Sequence, residues 1–145
     1  MARPRSRARA WTLQVLYAWE SRNRALPLSR MLADFLVERR IAQASQNYLF
    51  RLVGLIEERL PAIDAALETA LTNWRLDRLS MIDRNVLRIG AAELLAMPDI
   101  PPRTSIQEAI HLAEKYGSAD SPRFVNGVLD AVMKQNAASR PGVPL

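Results

Sequence analysis

The chain has 145 residues, 49% of them hydrophobic, with a net charge of +5 and no cysteine. That length suits one domain, and that apolar content supports a core, which excludes a disordered chain. Zero cysteines and a single histidine, His111, exclude disulfides, thiolate catalysis, iron–sulfur clusters and the usual transition-metal sites, so no metal and no cofactor is expected.

In chain order the apolar spacing is helical. Trp11, Val15, Ala18 and Trp19 share one face of a first helix, roughly 6–22. Leu26-Pro27 breaks it, and Leu28, Met31, Leu32, Phe35 and Leu36 form the stripe of a second. A third carries Tyr48, Leu49, Leu52, Val53, Ile56 and Leu60. Pro61 suits the first turn of a fourth, whose buried face would run from Ile63 through Leu67 and Leu71 to Trp74. Ser80 caps a fifth, with Asp83 in its first turn. Ser105 and Glu108 have the spacing of a capping box for a sixth, which Gly117 would stop. Ser121 and Pro122 open a seventh along Val125, Val128, Leu129 and Val132. The expected fold is all-α, about seven helices in two packed subdomains, three plus four, around one core. Residues 1–10 read as a basic arm leading into helix 1, 6–135 as one helical domain, and 136–145 as a flexible tail.

The charge is unevenly placed. Residues 1–30 hold seven arginines against Glu20 alone, a net +6, while the rest carries 13 basic and 14 acidic residues, a net −1. Arg3, Arg5, Arg7 and Arg9 crowd into seven residues and repel one another unless an anion relieves them, which nucleic acid does. Arginine dominates, with lysine only at Lys115 and Lys134, and its planar fork suits phosphate and base stacking. A solvated basic tail is the alternative. An Arg-rich, acid-poor start also occurs in organelle transit peptides, but this one runs straight into a core helix, so a cytoplasmic protein is expected. No apolar run is long enough to span a bilayer.

Tyr17 lies off the Trp11/Trp19 stripe and either stacks on a base or covers the helix flank. Phe124, beside Arg123 at a helix start, suits single-stranded RNA or closes the edge of the core. No catalytic constellation is present. The glycines are scattered singletons, and His111 reads as a surface helix residue. Asp77, Asp83 and Glu93 are explained by capping and by pairing with Arg78, Arg84 and Arg88.

Several stretches are familiar in order. Phe124-Val125-Asn126-Gly127-Val128-Leu129-Asp130 resembles the C-terminal motif of the NusB family of bacterial transcription antitermination factors. Ile82 to Ile89 followed by Ala92-Glu93-Leu94, then Pro98-Asp99-Ile100-Pro101 leading into Ile106-Gln107-Glu108-Ala109, resemble its central segments. Gln14 to Trp19 behind spaced arginines resembles its N-terminus, so the likeness covers residues 3 to about 134. The resemblance implies an all-helical, non-enzymatic protein that binds the boxA RNA element of ribosomal RNA leader transcripts. It implies a heterodimer with NusE, the ribosomal protein, and loading onto the RNA polymerase antitermination complex. A homodimer of the free chain is compatible with it. Carried over by motif, the RNA surface comprises Arg5, Arg7, Arg9, Gln14 and Tyr17, completed by Asp83, Arg123 and Phe124.

Two other classes compete. An RNA cytosine-5 methyltransferase with a NusB-like domain needs a cofactor-binding α/β domain and a catalytic Cys, and this chain has neither. A helical protein-interaction module with only non-specific RNA affinity is separated by salt dependence, since phosphate contacts release counterions.

Overall fold

The computed structural model describes residues 3–138, which form α1 (Pro4–Ser21), α2 (Leu28–Glu38), α3 (Gln43–Ala70), α4 (Met81–Ala96), α5 (Pro102–Tyr116) and α6 (Ser121–Ala138). A 3-10 turn at Leu76–Arg78 bridges α3 and α4. No strand occurs among the described residues. Residues 139–145, most of the segment expected to be a flexible tail, lie outside them.

Helix α4 organises the rest. Every residue from Asn85 to Leu94 is buried, and α4 packs against α1, α3, α5 and α6. Its two apolar stripes, Val86/Ile89 and Leu87/Ala91/Leu94, meet neighbours on opposite sides, as the sequence pattern demands of a helix covered all round. α5 and α6 pair with each other, while α2 lies against α1 and α3. Trp19 is buried, and Trp11 is partly buried edge-on to Phe35 with ring centroids 6.4 Å apart. Gly90 of α4 lies against Leu129 of α6. A Cβ there would lie 3.1 Å from Leu129 Cδ2 and closer still to Cδ1.

Five local expectations need correcting. The third and fourth helices are one long α3, kinked where Arg59 leaves helical geometry at φ −115°, ψ 17°. Pro61 cannot donate to the carbonyl four residues back, but its fixed φ suits the helix that resumes, so it bends α3 without ending it. Because α3 stops at Ala70, Trp74 loses the helical register that would bury it and stands 60% exposed. Ser105 is no cap, since α5 starts at Pro102 and the Ser105 hydroxyl donates to Glu93 at 2.7 Å. Gly117 ends α5 in extended geometry, φ −94°, ψ −167°, not the left-handed region. Its lack of a side chain matters for contact instead, since a Cβ would come within 2.6 Å of Ser121 Oγ. Ser80 does cap α4, accepting from the Asp83 amide at 3.1 Å. The first helical bond of α6 runs from the Phe124 amide to Asp120 O, one residue earlier than a Ser121 cap would give.

Candidate nucleic-acid interface

In an α-helix, residues two apart point about 200° away from each other. The alternating arginines at the start of α1 are therefore divided between two sides of it. Arg5 and Arg9 turn toward α3, where both guanidinium groups lie over the Tyr48 ring, 5.0 and 5.2 Å from its centroid. Arg7 turns the other way, onto the exposed strip that continues at Gln14 and Tyr17.

Arg5 and Arg7 are exposed, but Arg9 is only 3% exposed. Its Nε donates to Glu93 Oε2 at 2.6 Å, Nη2 to Glu93 Oε1 at 3.2 Å and Nη1 to Glu108 Oε1 at 2.9 Å. Glu93 also accepts from the Tyr48 hydroxyl at 2.7 Å, and Glu108 from the Ser6 hydroxyl. Burial alone would lower the Arg9 pKa, but the bonds and charge of Glu93 outweigh it and the net direction is up. Burial and the Glu93 bond together push the Tyr48 phenol up, so it stays a neutral donor. Arg9 is thus an internal tie from α1 to α3, α4 and α5, not the surface cation expected of it. The signal was available: Arg9, Leu13 and Leu16 fall at i, i+4 and i+7, on the buried face. Tyr48, Glu93 and Glu108, which hold it, were not anticipated as a group. Glu93 and the arginines of α4 also do not pair along the helix as the sequence spacing suggested. Arg84 and Arg88 turn inward to Glu20 and Asp64 instead.

The other end of α1 carries Tyr17, 43% exposed, and one turn later Glu20. Glu20 Oε1 accepts from Arg84 at 3.0 Å, Asn85 at 2.8 Å and Arg88 at 2.9 Å, binding this end to the start of α4. Burial would raise the Glu20 pKa, but Arg84, Arg88 and Asn85 together bring it below the usual carboxylate value. Asp83, in the first turn of α4, accepts from the Ser121 hydroxyl at 2.7 Å. That bond sets the start of α6, with exposed Arg123 and half-buried Phe124, beside the start of α4. The anticipated residues therefore form two groups. Tyr17, Asp83, Arg123 and Phe124 belong to one end of the bundle, tied there through Glu20 and Ser121. Arg7 and Arg5 stand about 15 and 18 Å further along α1 from Tyr17, with Gln14 between.

Among the described residues no group of His or acidic side chains could hold a metal ion, and no helix is long and apolar enough to cross a membrane.

The NusB family model matches residues 6–134. The transcription antitermination protein NusB of Sorangium cellulosum is 42% identical over 128 residues, covering 88% of this chain and 90% of that protein. The solved T. maritima NusB superposes with a TM-score of 0.83 at 39% identity, covering 94% of this chain and 95% of that one. A chain from the crystal structure of antitermination factors NusB and NusE in complex with dsRNA gives 0.81 at 29% identity, covering 93% and 99%. With the family model spanning nearly all of the helical domain, this chain belongs to the NusB family.

Proposed function

We propose that this chain is a transcription antitermination factor that acts by binding, not by catalysis. In the cytoplasm it takes up the boxA element of ribosomal RNA transcripts together with NusE, and the complex loads onto RNA polymerase to carry it past terminators. One observation carries the reading. Asp83 and Ser121 hold an exposed cation and an aromatic, Arg123 and Phe124, at the same end of the bundle as Tyr17. Exposed Gln14 and Arg7 lead away from that end along one side of α1, and Arg5 is exposed on the side facing α3. Aromatic faces accept unstacked bases and arginines follow the backbone, which is how single-stranded RNA is bound. The relative solved with NusE and dsRNA supports the choice of partners.

The test is boxA binding with and without NusE at several salt concentrations. Arg5, Arg7 and Arg123 on phosphates give a slope of log K against log salt of about −2, at roughly −0.7 per contact. Phe124→Ala weakens boxA more than a scrambled RNA, whereas Arg7→Ala weakens both alike, because phosphate contacts carry no sequence information. A flat salt response would return the chain to the class of protein-interaction modules.

A further inference from the structure

The arginine cluster does not end at the exposed strip of α1. On the flank facing α3 an open cleft of about 580 Å³ is lined by Arg3, Arg5, Asn47 and Arg51 around the Tyr48 ring. Two of its cations are held in place. Arg5 rests on the Tyr48 ring, and Tyr48 is itself fixed by its bond to Glu93. Arg51 is held by Asp99, Nη1 to Oδ2 at 2.8 Å and Nη2 to Oδ1 at 2.5 Å. Cations held in position lose little freedom when an anion arrives. Asp99 is nearly half exposed and is bonded to Arg51, with the charge of Arg5 also acting on it. A phosphodiester offers Arg51 the same two-oxygen geometry that Asp99 does, so one can replace the other. The cleft on the opposite flank of α1, toward α5, lacks this character because Glu108 lies in its wall.

We propose that the cleft formed by Arg3, Arg5, Asn47 and Arg51 over Tyr48 is a second RNA-backbone site, which takes the phosphodiester chain flanking boxA, with Asp99 as the carboxylate that phosphate displaces. The proposal rests on the RNA-binding reading above. It extends the RNA path from the outer strip of α1, through Arg5, onto α3, and gives α3 residues a role in affinity without sequence preference.

The experiment uses the full chain and three fluorescent probes, a boxA oligonucleotide and the same oligonucleotide with a short oligouridine tail at its 5′ end or at its 3′ end. Expected is that one tail tightens binding to the parent protein. On that tailed probe Arg51→Gln lowers the steepness of log K against log salt by about 0.7, the equivalent of one lost phosphate contact. Asp99→Asn, which leaves Arg51 a full unneutralised cation, tightens binding to the tailed probe and steepens its salt dependence. This gain cannot arise from misfolding, and the thermal midpoints of both variants check that the fold is kept. On the untailed probe both variants match the parent. If the parent binds boxA but neither tail helps and both variants are silent, the cleft is not an RNA site and the RNA reading stands. If the parent binds none of the probes, with or without NusE, the RNA reading itself fails.

Discussion

Helix α1 enters two ion clusters of opposite polarity, one near each end, both with partners on α3 and α4. Near its start a single cation, Arg9, faces two carboxylates, Glu93 and Glu108. Near its end a carboxylate, Glu20, faces Arg84 and Arg88, with Asp64 behind Arg88 and Arg24 a turn away at 3.6 Å. The difference lies in what remains when the α1 residue is removed. Without Arg9, Glu93 is left buried with only the hydroxyls of Tyr48 and Ser105, and Glu108 loses its cation. Without Glu20, Arg88 keeps a two-point bond to Asp64 and Arg84 keeps the carbonyls of Leu76 and Leu79. One cluster depends on a single member and the other is redundant. The dependent one lies beneath the Tyr48 ring on which exposed Arg5 rests.

That contrast sets an order of effects. Arg9→Met removes the cation paired with a buried acid and is expected to cost about 3–5 kcal/mol in urea unfolding. Replacing Glu93 by Leu in the same chain should recover part of that loss, because no buried charge is then stranded. If Arg9→Met costs no more than a surface substitution, the asymmetry is broken. Glu20→Gln keeps the shape and one acceptor oxygen and should cost about 1.5–3 kcal/mol, the range for hydrogen bonds to a charged group.

The pH dependence sharpens the second term. The folded Glu20 pKa lies below its unfolded value, which is near the ordinary 4.5. Its contribution is therefore complete above that value and is lost as pH falls through the lower, folded pKa. The stability difference between the parent and Glu20→Gln should hold steady from pH 7 down to about 5 and then shrink. A difference that widens with acid would overturn the assignment. Ser80→Ala, which touches neither cluster, provides the smallest effect, about 1 kcal/mol for a lost helix cap.

Legibility followed the range of the interactions. The stripes of α2 and α6, the Ser80 cap and the burial of Trp19 were readable because each depends on neighbours within a turn or two. The break at Pro61 was readable as an event but not as a kink, since bending or ending is decided by what packs on the far side. The exposure of Tyr17 was legible from its place off the Trp11/Trp19 stripe. Arg9 was misplaced because a charge count treats all arginines alike. Its burial needs Glu93, 84 residues away, and no local pattern pairs the two. The cleft on α3 was invisible for the same reason. Asn47 and Arg51 gain meaning only when α1 is laid across them.

Gly90 carries a consequence on the timescale of descent. Leu129 is fully buried, and a methyl group added at position 90 would require the end of its side chain to shift. Replacing Gly90 with alanine first meets a clash, while shrinking Leu129 first opens a cavity that a later alanine can fill. Each substitution alone therefore carries a cost, a clash in one case and a cavity in the other, and the two offset each other only when both are present. A lineage holding both Gly90 and Leu129 changes the seam between α4 and α6 most readily when the two positions change together.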